Sequence, residues 1–186
     1  MRPALQTLSS ADRGFVTWLA TMLREPVDDV WARLTPGVSS GGPTPDGESG
    51  TRVTTDGELI EVLDLAPIGP RLRFVAGANR KLSLPIAGLD ALAELDCSGL
   101  DLDVLDVRLL PRLRALRCAD NRLRELDLSA SPNLEVLDCA RNQLMVLDLR
   151  HNTALRELGC AENGLALLVL PGAHAEAAGE ALESIE

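Results

Sequence analysis

Leucine returns along this chain at a fixed interval. Leu92, Leu113, Leu134 and Leu155 open a unit, and Leu95, Leu116, Leu137 and Leu158 follow three positions later. Cys97, Cys118, Cys139 and Cys160 come next, then Leu102, Leu123, Leu144 and Leu165. Leu105, Leu126, Leu147 and Leu168 precede a last column of Val107, Leu128, Leu149 and Leu170. Every column repeats after 21 positions, the sequence mark of a solenoid whose turns bury one another's apolar faces. Within each unit the pattern alternates twice. Leu-x-Cys sets alternate side chains on one face, as the period of two in a strand requires. Ten residues later Leu126-Asp-Leu128, Leu147-Asp-Leu149 and Leu168-Val-Leu170 alternate again. Neither half has a 3.6-residue period, so each turn is predicted to carry a parallel strand on one side and a short extended segment on the back.

A further column, Asn121, Asn142 and Asn163, stands three positions after its cysteines, where the chain must turn out of the strand. An amide there can satisfy backbone donors and acceptors inside the bend, a role that Leu100 in the first unit cannot fill. Leu113-Arg-Ala-Leu116-Arg-Cys118-Ala-Asp-Asn121-Arg-Leu123 resembles the leucine-rich repeat family, L-x-x-L-x-L-x-x-N-x-L, with Cys in place of the third Leu. The resemblance implies an α+β solenoid: a right-handed coil with a parallel β-sheet on its concave face, extended segments on the back and a helical cap. The strong match covers 92–170. A degenerate unit fits Leu72, Val75, Gly77 and Leu82, and Ile60-Glu-Val-Leu63-Asp64-Leu65 looks like the second half of a still earlier one. The repeats are thus expected over 59–172, as four to five turns.

The flanks differ in kind. Residues 1–35 are expected to form a helical cap: Ser9 or Ser10 caps a helix with Phe15, Trp18, Leu19, Met22 and Leu23. Pro26 then opens a second helix with Val27, Val30, Trp31 and Leu34 on one stripe. Residues 36–58, rich in Gly, Pro and Ser, read as a flexible linker. Residues 173–186 form an acidic tail or cap, and Ala178, Leu182 and Ile185 suggest a short amphipathic helix there.

Composition fits a leucine-built core: 36 of 186 residues are Leu, four are aromatic and none is Tyr. The formal net charge of −10 disfavours binding to nucleic acid or to anionic membrane surfaces. No stretch reaches the roughly 20 apolar residues of a membrane span, and no signal-like apolar run follows Arg2. One Lys beside 17 Arg suggests a GC-rich bacterial genome, and the cytoplasm is the default address.

Thiols on successive turns point into the core, so the cysteine column reads as small apolar packing, with adjacent disulfides or a metal ladder as alternatives. Asp64, Asp106, Asp127 and Asp148 form an apparent back-face column in which like charges repel, so hydrogen bonds from nearby backbone are expected to compensate. Stepping by 21 pairs Asp96 with Arg117, whose next neighbour is Asp138; Arg114 with Glu135, whose next neighbour is Arg156; Asp101 with Arg122; and Asp103 with Arg124. These pairs would help fix register. His151 and His174 are the only histidines, and no nucleophile motif or phosphate-binding loop is present, so no catalysis, cofactor or metal is expected. Residues 19–34 have helix-turn-helix spacing, but Asp28 and Asp29 stand where phosphate contacts need donors.

The remaining expectation is a non-catalytic bacterial scaffold that binds a protein partner through the presumed concave sheet. Its outward positions include Phe74, Glu94, Asp96, Arg117, Val136, Asp138 and Glu157, with Phe74 and Arg117 as the available anchors. The alternative is an immunity or antitoxin-type protein whose negative charge draws in a basic toxin.

Overall fold

The computed structural model describes residues 8–34, 52–53, 60–65, 84–172 and 184–185. Two helices come first. Helix α1 (Ser10–Leu23) begins at Ser9, whose Oγ accepts the Asp12 N–H at 3.2 Å while Asp12 turns its carboxylate back onto the same hydroxyl. It ends on Arg24, which adopts the left-handed conformation with φ 55° and lets the Glu25 N–H reach Ala20 O at 3.0 Å. Helix α2 (Val27–Leu34) follows, with Asp28 and Asp29 in its first turn, where the helix dipole favours acids. Phe15, Val16, Leu19, Val30 and Leu34 are buried and join the same core as the first repeat. A Cβ placed on Gly88 would lie 3.3 Å from the Ala11 Cβ, so α1 rests directly on the segment that leads into Leu92.

The repeats build one seven-stranded sheet, here called the front sheet. In spatial order its strands are β1 (Arg52–Val53), β2 (Ile60–Asp64), β3 (Glu94–Asp96), β4 (Ala115–Arg117), β5 (Val136–Asp138), β7 (Glu157–Gly159) and β9 (Ser184–Ile185). All neighbours are parallel except β1 with β2. Leu63, Leu95, Leu116, Leu137 and Leu158 fall in one row across the sheet and are buried. Full burial of each leucine is worth about 1.5–3 kcal/mol. On the back, β6 (Val146–Asp148) and β8 (Leu167–Val169) form a two-stranded parallel sheet. Back strands are therefore present in the third and fourth turns, counting the first from Leu92.

Three expectations need correction. Ile60–Leu65 is a front strand, not the second half of a unit: Leu63 pairs with Leu95, and buried Leu65 takes the place of the next turn's Cys97. Asp64 accordingly stands beside Asp96 in the front sheet and does not belong with Asp106 on the back. The misreading arose because Leu-x-Leu marks either half of a turn. Here neighbouring front strands are 32 positions apart, Leu63 to Leu95, where the later ones are 21 apart. In the tail, Ser184 and Ile185 are extended and continue the front sheet from Glu157 and Leu158, so no helix includes them. Arg52 and Val53, inside the expected linker, form β1. The degenerate unit at Leu72, Val75, Gly77 and Leu82 lies outside the described residues, as does Phe74.

Candidate functional site

The inner side of the front sheet is a pair of ladders. Asn121 donates from Nδ2 to the carbonyls of Cys97, Cys118 and Ala119 at 3.0, 2.9 and 3.1 Å, and its Oδ1 accepts from the Leu100 and Leu102 N–H groups at 3.2 and 2.9 Å. Asn142 repeats this with Cys118 O, Cys139 O, Ala140 O and the Leu123 N–H, and Asn163 with Cys139 O, Cys160 O, Ala161 O and the Leu144 N–H. Each amide closes its own bend and also binds the previous turn. The residue just before it is left-handed in every case: Asp120 at φ 55°, Arg141 at 50° and Glu162 at 52°. Gly99, at φ 67°, meets the same demand in the first turn without a Cβ.

The cysteines run alongside. Cys97, Cys118 and Cys139 are buried, Cys160 is half-buried, and all four are free thiols. Burial pushes every one of these thiols up, Cys139 to about 12; Asp96 adds to the effect at Cys97, and neighbouring thiols and aspartates add to it at Cys118 and Cys139. Protonated and shielded, the three inner thiols serve as packing, while half-buried Cys160 is the more accessible one. Among the described residues no three His, Cys, Asp or Glu side chains come together to hold a metal ion.

On the back, Asp106, Asp127 and Asp148 each accept the backbone N–H two residues on, at 3.1, 3.0 and 3.1 Å. Side chains complete the shell: Arg108 reaches Asp106 at 2.8 Å, Ser129 Oγ donates to Asp127 at 2.6 Å, and Arg150 reaches Asp148 at 2.9 Å. The Arg108 hydrogen bonds hold the Asp106 carboxyl down at about 2, and the Ser129 and Arg150 groups lower the other two. The expected compensation by backbone donors is what this column uses.

Of the ion pairs expected from the 21-residue step, Arg114–Glu135 and Asp101–Arg122 form, each at 2.6 Å. Arg124 instead donates to Gln143 Oε1 at 3.4 Å. Asp96, Arg117 and Asp138 stand in one row, yet among the described residues Arg117 makes no ion pair with either carboxylate. Asp96 and Asp138 turn back to accept the Ser98 and Ala140 N–H groups at 3.0 and 3.1 Å. Asp138 also leans over Gly159, where a Cβ would come within 2.9 Å of its Oδ1. The sequence reading missed the Arg108–Asp106 and Arg150–Asp148 pairs and also the bridge by which Arg141 joins Asp120 at 2.7 Å and Glu162 at 3.6 Å along the left-handed column. Its signal was present in the alternating Asp120, Arg141, Glu162 series.

The two faces offer different surfaces. The front sheet brings Glu94, Asp96, Arg117, Val136, Asp138 and Glu157 together as two rows. Only Arg117 and Glu157 of these are exposed, above a floor in which even the outward-pointing Ala115 and Ala119 are buried. The back carries what the sequence reading missed. Met145, Val146 and Leu167 are 64%, 50% and 52% exposed, and Val146 and Leu167 are register partners. Met145 and Val146 line an open groove of about 960 Å³ between the second and third turns, together with Leu126, Leu128, Arg124 and His151 among others. The groove exists because backbone bonding stops there. Gln143 N reaches Leu123 O at 2.8 Å, but the Ala166 and Leu149 bonds that join the next two turns, to Met145 O and Val169 O, have no counterpart among the described residues. The missed signal was large apolar residues at outward positions of the back strands.

No family model and no curated protein sequence matches the chain. Among solved structures it is similar to the functional domain of InlJ from Listeria monocytogenes, which includes a cysteine ladder: 31% identity, TM-score 0.46, over 57% of this chain and 26% of that one. The chain thus spans about a quarter of that domain's length. A second similar structure is internalin C2 from Listeria monocytogenes, at 16% identity and TM-score 0.33, over 94% of this chain and 92% of that one. At such TM-scores neither likeness decides the architecture. The chain's own geometry does: with 21-residue turns, Leu-x-Cys strands in parallel register and an asparagine at every later bend, residues 92–170 form a leucine-rich-repeat solenoid.

Proposed function

We propose that this solenoid is a protein-interaction module and that its contact surface includes the back of the third and fourth turns. The observation that carries the reading is the adjoining exposure of Met145, Val146 and Leu167 beside the groove, since apolar side chains gathered at one exposed place mark interaction sites. The row centred on Arg117 supports a second reading, in which the front sheet binds and Glu94, Asp96, Val136, Asp138 and Glu157 accompany the anchor; Phe74, the other expected anchor, lies outside the described residues. The net charge of −10 favours a basic partner on either face, and a neutraliser of a basic toxin is the narrower form of the proposal. Four free thiols favour a reducing compartment such as the bacterial cytoplasm.

The test is affinity capture with the full chain and two variants, Met145→Asp/Leu167→Asp and Arg117→Glu, followed by binding measurements on the captured protein. Loss of at least tenfold in affinity with the first variant alone supports the back face. Loss with the second alone moves the site to the front sheet. A partner held equally by both variants rejects both surfaces. If the captured partner is a basic, nuclease-like protein whose activity the chain suppresses, the neutraliser form stands.

A further inference from the structure

Leu110, Ser131 and Asn152 are 21 residues apart and occupy one column of the core, where the chain leaves the back of each turn. Their backbones behave alike: the N–H groups donate to Val107 O, Leu128 O and Leu149 O at 3.1, 3.0 and 3.0 Å. All three residues are buried, at 1%, 1% and 0% exposure. The side chains that follow one another there are unequal. Leu110 fills its place with four carbons, whereas Ser131 brings one carbon and one oxygen, and so occupies less of the same place in the second turn.

Asn152 reaches back toward the second turn. Its Nδ2 donates to Leu128 O at 3.0 Å and to Ser131 O at 2.7 Å. In the front ladder, each asparagine also uses Oδ1 to accept a backbone N–H of the previous turn. Here Oδ1 finds no such donor: Asn152 Oδ1 and Ser131 Oγ are both buried without a hydrogen-bond partner among the described residues. A hydroxyl and an amide oxygen from adjacent turns, in one column and beside a short side chain, are what a buried water satisfies, since it needs room for itself and two or more polar partners.

We infer that the Ser131–Asn152 column is the binding site of one ordered water molecule, which accepts the Ser131 Oγ–H and donates to Asn152 Oδ1. It makes the second and third turns cohere on the back, where their strands do not pair.

A crystal structure of the full chain, at about 1.5 Å or better, tests this directly. One water within about 2.7–3.2 Å of both oxygens supports the site. Absence of density there, or Oγ and Oδ1 in direct contact, overturns it. Ser131→Ala provides an independent reading. A bridged hydroxyl is a satisfied one, so its removal should lower Tm by about 2–4 °C. An unchanged or higher Tm overturns the inference, because deleting an orphaned hydroxyl relieves the core.

Discussion

The front and the back of this solenoid are written in the same leucine alternation and are held together differently. On the front, every strand from β2 to β7 is paired on both sides, and Asn121, Asn142 and Asn163 tie each turn to the one before. On the back, β6 and β8 alone pair among the described residues. The outward residues account for much of the difference. Ala115, Ala119 and Gly159 let front neighbours close tightly, while Val104, Met145, Val146 and Leu167 project into solvent from the back. One period can thus serve a scaffold on one side and a surface on the other. The side chains between the leucines decide which.

The largest effect should come from breaking the front ladder. Asn121→Ala leaves buried backbone donors and acceptors of two turns unpaired, and should cost about 3–5 kcal/mol in chemical denaturation, at about 1–3 kcal/mol per orphaned group with partial relaxation. The matched change on the back, Ser129→Ala, removes only an exposed hydroxyl bond to Asp127 and should stay within about 0.5 kcal/mol. Equal losses would erase the distinction between the faces.

An intermediate effect is expected in the thiol column. Cys118→Ser keeps the shape but buries a hydroxyl among leucines, for a loss of about 1–3 kcal/mol. In the native chain a maleimide should label Cys160 first and the three inner thiols only on unfolding, as mass spectrometry would show. Rapid native labelling of Cys118 would mean that the front core opens.

The smallest effect belongs to the back carboxylates. Asp106 titrates at about 2 when folded, against about 3.9 for a free Asp. Because its folded value is depressed, the stabilisation is present above pH about 4 and fades as pH falls towards 2. Both partners are exposed, so the slope should be shallow. Arg108→Ala should return the Asp106 carboxyl toward its ordinary value in an NMR titration. No movement would mean that the Arg108 contact is absent in solution.

Much of this architecture was legible in the sequence, because a column repeated every 21 residues fixes which side chains share a row. Leu116, Cys118 and Asn121 declared their places without any coordinates. The failures came where the period broke. Ile60–Leu65 has a Leu-x-Leu triplet but no following Asn to mark it as front or back, and it was assigned to the wrong half. The Arg117 row was also misjudged: register sets which residues are neighbours, but a short aspartate prefers the N–H two residues on to a cation in the next strand. The apolar patch of Met145, Val146 and Leu167 is not marked by the repeat, because residues between the leucine columns carry no periodic signal that separates buried from exposed. Asn152 differs from Ser131 and Leu110, so its column shows no repeat to notice.

The asparagine rungs all point the same way. Each amide reaches from its own bend into the previous coil, so a coil is completed only when its successor arrives, and the array has a direction of growth as a zipper does. Among the described residues the fourth coil receives no such amide, and Cys160, Leu165, Leu168 and Leu170 are half-buried there. Lengthening the protein would therefore succeed by inserting whole 21-residue modules between existing coils, where both joints are already shaped to accept them. A partial module would strand the carbonyls of one neighbour and the leucines of the other.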